Sequence, residues 1–469
     1  MGITTIDHQT ITAVSTPPGC GGIAVIRLSG PDALTIITKC WKGKSLRQVN
    51  THTAHLGMIA DNDGCIIDEV VATVFKGPHS FTGEDTVELS CHGSIWIQQA
   101  IVSRLIECGA RAAEAGEFTK RAFVNGRLDL AQAEAVADII SASSKAAARM
   151  ANTQMRGDFS RQLEKLREEL VDIASLLELE LDFSEEDVEF ADRTRLLQLT
   201  ADVTNTTKRL STSYKAGTAF KHGIPTAIAG IPNAGKSSLL NALLHDDRSI
   251  VSDIPGTTRD IIEDTTEIQG LLFRFIDTAG LRDSNDTIET MGIDRARLKI
   301  ADANIILWLI DPFSPIDIKT QLDKLAETAN HCGHTFILIT KHDMPGYPEA
   351  SSKTRNALRN AGIPDTDILD VSATTGHGID QLETVLVQTA TSEYNPESEL
   401  IITNARHYAA LCNATDSLHR LTEGLQTGLS ADLLAQELRE AIHYIGTITG
   451  TVTTDNILHT IFSRFCIGK

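Results

Sequence analysis

Residues 224–241 read Ile-Pro-Thr-Ala-Ile-Ala-Gly-Ile-Pro-Asn-Ala-Gly-Lys-Ser-Ser-Leu-Leu-Asn, a stretch in which an apolar run meets a glycine-bracketed loop. The apolar run predicts a β-strand and the residues after the loop predict a helix, an order that indicates a phosphate-binding P-loop. Gly230 and Gly235 let the backbone wrap closely around an anion, and the amides at the helix N-terminus supply hydrogen-bond donors. Lys236 adds a positive charge for the β- and γ-phosphates, and Ser237 is placed to bind Mg²⁺.

The competing interpretation of this loop is an ordinary glycine turn between a strand and a helix. At average composition, the pattern Gly-x4-Gly-Lys followed by Ser or Thr arises by chance in about one or two of a hundred chains of this length. The strand and helix patterns on either side make a chance match rarer still. We therefore predict a phosphate-binding site.

The composition is that of a globular protein with several domains. The chain has 469 residues, 42% of them hydrophobic and 22% charged, a length that accommodates about three domains. No stretch is apolar enough to span a bilayer, and the N-terminus lacks the basic and apolar regions of a signal peptide. Eight cysteines without a Cys-x-x-Cys pair indicate reduced thiols, so we expect a cytoplasmic protein. The net charge of −20 argues against broad binding to polyanions, although a local basic surface could hold RNA.

Changes in periodicity and composition divide the chain into four segments. Residues 1–125 combine β-rich runs with a helical pattern and predict an α+β domain. Residues 126–222 and 392–469 are helical in pattern, whereas residues 223–391 alternate between strands and helices around the P-loop. We predict an α/β plus all-α fold class, with a mostly parallel P-loop domain inserted into a discontinuous helical domain. The acidic run 178–192 is interpreted as a solvated surface, with metal binding as the alternative.

Four short motifs follow the P-loop in the order found in GTP-binding domains. Residues 255–260 contain a threonine that can close over Mg²⁺ and the γ-phosphate, and residues 277–280 offer a carboxylate and a glycine amide. In residues 340–343, Asp343 can accept hydrogen bonds from the guanine ring nitrogens, which adenine does not supply in the same pattern. The fourth motif, Ser372-Ala373, closes the base pocket. The predicted Mg²⁺ ligands are Ser237 and Thr258. The predicted GTP-binding residues are Asn233, Ala234, Gly235, Lys236, Ser237, Ser238, Ser252, Thr257, Thr258, Asp277, Thr278, Ala279, Gly280, Thr340, Lys341, Asp343, Ser372 and Ala373.

The hydrolytic machinery differs from that of small regulatory GTPases. Those proteins carry a glutamine after the Asp-x-x-Gly motif to orient water, but Leu281 occupies this position in the present chain. Glu289 is the best carboxylate to position the attacking water, and the alternative is that it is a surface helix residue. A second departure is Thr340, which stands where the Asn-Lys-x-Asp motif has asparagine, so we expect a slightly looser hold on the base.

Four motifs together link the chain to a known family. They are the Gly-x-Pro-Asn-Ala-Gly-Lys-Ser loop, the Pro-Gly-Thr-Thr-Arg-Asp motif, Leu-Asp-Leu-Ala-Gln-Ala-Glu-Ala at 128–135, and the terminal Cys466-Ile467-Gly468-Lys469. A prenylation signal is a poor alternative for the terminal motif, because Gly468 is not aliphatic and Lys469 is an unfavourable last residue. In this combination the chain resembles the tRNA modification GTPases of the MnmE (TrmE) family over essentially its whole length.

The resemblance implies an N-terminal tetrahydrofolate-binding and dimerising domain (1–125), a discontinuous helical domain (126–222 and 392–469) and an inserted G domain (223–391). It implies contacts to a 5-formyl- or methylene-tetrahydrofolate from Arg27, Glu88, Arg127 and Lys469. Proteins of this family act with a flavoprotein, MnmG (GidA). Together they add a carboxymethylaminomethyl or aminomethyl group to C5 of the wobble uridine, position 34, of certain tRNAs. Cys466 has either a chemical or a structural role, and the sequence leaves both open.

The resemblance also implies a K⁺ ion in place of an arginine finger, held by oxygen atoms of Asn233, Ser252, Ile254 and Thr257. Ser252 stands where some members have threonine and keeps a hydroxyl oxygen, whereas Ile231 stands where many have arginine, with an effect that the sequence does not define. We expect a homodimeric, K⁺-dependent GTPase that forms a heterotetramer or larger complex with its flavoprotein partner. The alternative is a regulatory GTPase switch or ribosome-assembly factor, which would have no need of the folate residues or the terminal motif.

Overall fold

The computed structural model describes most of the chain, namely residues 8–182, 193–244, 263–277, 303–329, 333–396, 398–453 and 455–463, Phe465 and Gly468. The described residues form two compact units. The first unit draws on Met1–Ser141, Ala151–Lys208 and Ala409–Lys469, and the second draws on Ala142–Met150 and Arg209–Tyr408. The segment boundaries predicted from the sequence, after residues 125, 222 and 391, stay predictions.

The described residues contain both strands and helices, which are numbered in chain order. The strands are β1 Ile11–Val14, β2 Gly21–Ser29, β3 Trp41–Gly43, β4 Thr53–Ala60, β5 Ile66–Phe75, β6 Thr86–Gly93, β7 Arg111–Ala112, β8 Ile224–Gly230, β9 Glu263–Ile268, β10 Leu271–Asp277, β11 Ile305–Ile310, β12 His334–Ile339 and β13 Ile368–Asp370. The helices are α1 Ala33–Thr38, α2 Ile95–Glu107, α3 Glu117–Val124, α4 Leu130–Ser141, α5 Lys145–Met155, α6 Asp158–Asp182, α7 Arg193–Thr212, α8 Tyr214–His222, α9 Lys236–Leu243, α10 Ile318–Ala329, α11 Tyr347–Asn360, α12 Ile379–Ala390, α13 Ala405–Thr427, α14 Ala431–Thr449 and α15 Asp455–Phe462.

Seven strands of the described chain form one sheet in the first unit, in the order β3-β4-β5-β6-β2-β1-β7. Neighbouring strands are antiparallel except β1 and β7, which are parallel. Side chains alternate between the two faces, and one face packs with α1 and α2 in a core that includes Ile26, Leu28, Val70, Val87 and Leu89. On the opposite face Ile23 is 70% exposed and Leu56 is 66% exposed. This second face therefore exposes large apolar side chains.

Helix α6 carries the packing seam that the sequence predicts from apolar residues at steps of three and four. The seam residues are all buried: Leu163, Leu166, Leu170, Ile173 and Leu177. Helix α14 packs against α6 and buries Leu434, Leu438 and Ile445. The predicted helical character of residues 126–222 and 392–469 is thus confirmed. Their helices α6 and α14 pack together although most of the second unit lies between them in the sequence.

The described part of the second unit contains a six-stranded sheet, in the order β13-β12-β11-β8-β10-β9. All neighbours are parallel except β9 and β10, which form a hairpin. Every residue of β11 is buried, as expected for a strand covered on both faces. Leu307 and Leu309 pack in a core with α9 and α12, while Ile306 and Trp308 pack in a second core with α11. The carboxyl ends of the parallel strands meet at one edge, so the loops after β8, β12 and β13 lie there.

These two sheets and the surrounding helices confirm the α/β plus all-α fold class. The second sheet is mostly parallel, as predicted for a P-loop domain. Within the described ranges, no helix combines the length and the apolar character needed to cross a membrane.

Candidate functional site

The P-loop connects β8 to α9 at the carboxyl edge of the second sheet. Gly230 has a φ of +144°, and a Cβ there would lie 2.6 Å from the carbonyl oxygen of Leu309, so the position requires glycine. Gly235 precedes α9 with a φ of +99°. Asn233 has a φ of +64°, a left-handed conformation that asparagine adopts more readily than most residues. Ala234 between them is fully buried. The backbone therefore turns sharply, as the P-loop interpretation requires.

Lys236 is the first residue of α9, and its ammonium lies over the loop. Its Nζ donates hydrogen bonds to the carbonyl oxygens of Gly230 and Ile231, both at 3.0 Å. Ser237 and Ser238 follow in the first turn of the helix, and both are exposed. The first amides of a helix have no intrahelical acceptor and carry the positive end of the helix dipole. This end of α9 can therefore bind a phosphate group with the help of the lysine charge.

Asp343 follows β12 and Ser372 follows β13, so both lie at the same edge of the sheet as the P-loop. Ser372 Oγ donates a hydrogen bond to Asp343 Oδ1 at 2.7 Å, and the amide of Thr375 donates to Ser372 Oγ at 3.2 Å. The hydrogen bond from Ser372 lowers the pKa of the exposed Asp343 carboxyl. An ionised carboxylate is an acceptor only and can take further donors, such as the N–H groups of guanine. Ala373, half-buried, continues the loop.

Asp311, which follows β11, is a residue of this edge that sequence reasoning missed. Lys341 Nζ lies 2.6 Å from Asp311 Oδ2, and Lys341 has a φ of +62°, uncommon for a residue other than glycine. The buried Thr340 donates from its amide and its hydroxyl to the carbonyl oxygen of Ile310, at 2.9 and 3.3 Å. A polar residue directly after a buried parallel strand was the signal that could have identified Asp311.

Several predicted residues lie outside the described residues, and their roles stay predictions. For Asp277 the structure gives only its place at the end of β10. The remaining ones in this unit are Ser252, Ile254, Thr257, Thr258, Thr278, Ala279, Gly280 and Glu289.

Arg27 and Glu88 are directly opposite each other on β2 and β6. Arg27 Nη2 and Nε lie 2.8 and 2.9 Å from Glu88 Oε1. The Arg27 guanidinium also lies over the rings of Phe81 and Phe118, at 5.3 and 5.4 Å from their centroids. A charge within an apolar strand needs a partner, and these two residues are partners of each other.

The other predicted folate residues approach the same part of the first sheet or lie outside the described residues. A Cβ on Gly83 would lie 3.3 Å from Arg127 Cγ, so Arg127 packs against the loop that also carries Phe81. Ser15 Oγ donates to the carbonyl oxygen of Gly468 at 3.0 Å, which places that part of the terminal motif beside β1. Cys466 and Lys469 of the same motif are among the residues that the structure does not describe.

A buried charge network lies beside Arg27 and its two aromatic neighbours, and the sequence did not predict it. It is formed by Arg121, Glu84 and Glu117. Arg121 is 1% exposed, and its Nη1 donates to both carboxylate oxygens of Glu84 at 3.1 Å. Its Nη2 donates to Glu117 Oε1 at 3.0 Å. Burial raises the pKa of Glu117, but hydrogen bonds from Arg111, the Glu114 amide and Arg121 outweigh it, so the pKa is lowered. The network joins α3, which carries Phe118, to the loop that carries Phe81.

Two sequence models of protein families match the chain. The model described as GTP-binding protein TrmE N-terminus matches residues 10–127, and the model described as MnmE helical domain matches residues 130–466, more than half of the chain. The chain belongs to the MnmE family. The resemblance inferred from the four sequence motifs is thereby confirmed.

Two MnmE relatives match this chain over nearly their whole length. The tRNA modification GTPase MnmE of Porphyromonas gingivalis is 49% identical over 469 residues, which cover 99% of this chain and 98% of that protein. The tRNA modification GTPase MnmE of Christiangramia forsetii is 46% identical, over 98% of this chain and 99% of that protein. Among solved structures, the G domain of the T. maritima FeoB iron transporter is 27% identical over 36% of this chain and 100% of that chain, with a TM-score of 0.27.

Proposed function

We propose that this MnmE-family protein is a GTPase that acts in tRNA modification and hydrolyses GTP at the carboxyl edge of the second sheet. The observation that carries the proposal is the placement of Lys236 and the Asp343–Ser372 pair at one edge. The first can neutralise phosphate charge and the second can accept from guanine, so the edge offers both ends of a GTP site. The relatives named tRNA modification GTPase support the same function.

The modification that we propose is the addition of a carboxymethylaminomethyl or aminomethyl group to C5 of uridine 34. It would take place in the cytoplasm with a flavoprotein like MnmG (GidA). Mass spectrometry of tRNA nucleosides from cells that lack the protein tests this directly. Loss of the C5-modified wobble uridine is the expected result. Unchanged nucleosides would favour the alternative of a regulatory GTPase switch or ribosome-assembly factor.

Within the GTP site, Ser237 and Thr258 would hold Mg²⁺, and Asp277 would contact the ion through water. The position of Ser237, one residue after Lys236 at the start of α9, fits this role. When bound, Mg²⁺ would supply positive charge to the β- and γ-phosphates. Lys236 would contribute its ammonium to the same oxygens, and the amide of Gly280 would donate to the γ-phosphate.

Glu289 is proposed to orient the attacking water, because Leu281 occupies the position of the usual glutamine. Glu289→Ala should lower kcat by about 10²-fold or more, the usual contribution of a positioned proton acceptor, and leave GTP affinity nearly intact. Single-turnover hydrolysis and equilibrium GTP binding would separate the two quantities. The matched control is Glu349→Ala, which removes an exposed carboxylate from the first turn of α11 and should change neither. A parallel loss of binding and turnover in Glu289→Ala would indicate a folding defect instead.

We also propose that the first unit binds a tetrahydrofolate through Arg27, Glu88, Arg127 and Lys469. The Arg27–Glu88 pair, held beside two aromatic rings, supports this because a pterin offers both donors and acceptors and a folate tail carries carboxylates. The approach of Gly468 to Ser15 supports a contribution from the terminal motif. Cys466 has either a chemical or a structural role, and both alternatives stay open.

Arg27→Ala should weaken the binding of 5-formyltetrahydrofolate by about 10- to 100-fold, the effect of losing one charged hydrogen-bond donor. Isothermal titration calorimetry on the full chain measures this change. Arg47→Ala is the matched control, since Arg47 is an exposed arginine of the same unit that donates to Thr35. Unaltered folate affinity in Arg27→Ala would remove Arg27 from the proposed site.

The protein is proposed to act as a homodimer through the first unit. The face of the first sheet opposite its helices carries exposed Ile23, Leu56 and Val71. Register pairs Leu56 with Val71, so these two exposed apolar side chains are adjacent on neighbouring strands. An apolar surface of this kind is stabilised when a second copy covers it.

A further inference from the structure

Two histidine rings stack between the loops that form the base-binding side of the proposed GTP site. His342 follows β12, one residue before Asp343, and His377 lies in the loop that begins at Ser372. Their ring centroids are 3.7 Å apart and the ring planes differ by 13°. The centroid of the buried Tyr347 ring lies 4.7 Å from that of His342, at an angle of 58°. Neither histidine was among the residues predicted from the sequence.

Hydrogen bonds between and within these two loops accompany the stack, and they involve Asp343 and Ser372, which would read the base, or their neighbours. The amide of His342 donates to the carbonyl oxygen of Val371 at 3.3 Å. The amide of Ser372 donates to the carbonyl oxygen of His377 at 2.9 Å, and Ser372 Oγ donates to Asp343. His377 therefore holds Ser372 with its main chain and covers His342 with its ring.

Thr340 has fewer hydrogen-bonding groups than the asparagine usual at this position, so the stack can supply a link between the loops that Thr340 does not. An asparagine amide has two N–H donors and an acceptor, and it could bond to more than one loop. Threonine has one hydroxyl, and both the hydroxyl and the amide of Thr340 donate to Ile310 in β11. The hydrogen bonds of Thr340 thus go to β11 and leave the loop after β13 to be held by other groups.

We propose that the His342–His377 stack positions Asp343 and Ser372 for guanine and thereby sets nucleotide affinity and base selectivity. The inference rests on the proposed GTP site and adds two positioning residues to it. Tyr347 supports the stack, because its hydroxyl donates to Asp370 at the end of β13 and also lies 3.2 Å from the carbonyl oxygen of Ile339 at the end of β12. With the rings in place, the carboxylate and the hydroxyl are held at 2.7 Å before the nucleotide arrives.

A double-mutant cycle on GDP binding by the full chain tests this role. His342→Ala and His377→Ala should each weaken GDP binding about three- to tenfold, the effect of one lost aromatic contact. The double variant should be little weaker than either single variant, because both remove the same stack. His377→Phe keeps a flat ring and should restore GDP affinity to within about twofold. His334→Ala, which removes an exposed histidine at the start of β12, is the matched control and should bind GDP normally.

The ratio of GDP to IDP affinity distinguishes positioning from a general loss of stability. IDP lacks the 2-amino group that Asp343 would accept from, so a loosened loop should lose more GDP affinity than IDP affinity. Both alanine variants should therefore show a lower GDP/IDP ratio. The positioning role would be overturned, and the proposed GTP site would stand, if both alanine variants bound GDP with wild-type affinity. The same holds if their losses of GDP affinity were additive and His377→Phe did not restore GDP affinity. Failure of the unmodified protein to bind GDP or GTP would overturn the proposed GTP site and the inference together.

Discussion

Replacing Asn233 by alanine is expected to abolish the stimulation of GTP hydrolysis by K⁺, with a loss of about 10³-fold or more at saturating K⁺. The magnitude is that of an arginine finger, which contributes about 10³–10⁵ in rate by placing positive charge beside the transferring phosphate. Asn233 is exposed in the P-loop with a φ of +64°. Its side-chain oxygen is therefore accessible to a K⁺ ion, on a loop whose conformation is fixed by the sharp turn at Gly230.

The oxygens from Ser252, Ile254 and Thr257 would cover the ion from the other side. Ordering such a loop costs about 1–2 kcal/mol for each fixed residue, so we expect a partner G domain to hold it closed. Turnover of the unmodified protein should rise with protein concentration and with K⁺ at constant ionic strength, and Na⁺ should be much less effective. Asn233→Ala should retain GTP binding but show the same low rate in both salts.

The control for this experiment is Asn360→Ala, which changes an exposed asparagine at the end of α11 and should keep the K⁺ response. Steady-state phosphate release in matched KCl and NaCl gives the comparison. Equal rates for the unmodified protein in both salts would contradict the K⁺ proposal. The positive charge would then have to come from Arg259, in the Pro-Gly-Thr-Thr-Arg-Asp motif, or from a partner protein.

Asp343→Asn is expected to reduce GTP affinity by about 10²–10⁴-fold and to raise the affinity for xanthosine triphosphate. Two hydrogen bonds from guanine to a carboxylate contribute about 1.5–3 kcal/mol each, and the amide cannot accept both. Ser372 should keep the new side chain in place, because its Oγ can donate to the amide oxygen as it now donates to Asp343 Oδ1. The amide NH₂ would then be directed to the base, where xanthine offers a carbonyl oxygen.

Displacement of a bound fluorescent nucleotide by GTP and by xanthosine triphosphate measures this change in preference. Asp380→Asn, which changes an exposed aspartate in the first turn of α12, controls for the loss of one negative charge in the same unit. A variant at position 343 that still prefers GTP would show that another group reads the base.

Local patterns in the sequence were sufficient to predict the P-loop and to assign most segments correctly as strand or helix. The Gly230 to Lys236 loop depends on residues that are close together along the chain, and β11 is apolar at every position because helices cover both faces of its sheet. The seam of α6 follows from its own spacing. These features are determined by neighbours along the chain, so a single sequence contains them.

Contacts between distant residues could not be predicted in the same way. Arg27 and Glu88 each place a charge within an apolar strand, but only the register of β2 with β6 shows that they pair. The stack of His342 with His377 depends on how two loops from separate strands meet. Arg121 gave no local signal, because an arginine on an amphipathic helix is normally solvated, and its burial follows from the loop that carries Glu84.

The buried network around Arg121 restricts how this part of the chain can change during evolution. Removing Glu84 or Glu117 alone would leave a guanidinium buried without full compensation, which typically costs about 3–5 kcal/mol. That loss is a large share of the stability of a typical domain. Exchange of the whole set for packed apolar side chains would avoid the cost, as would paired changes that keep the charges balanced. Among related sequences, we therefore expect positions 84, 117 and 121 to vary together, and single replacements at any one of them to be rare.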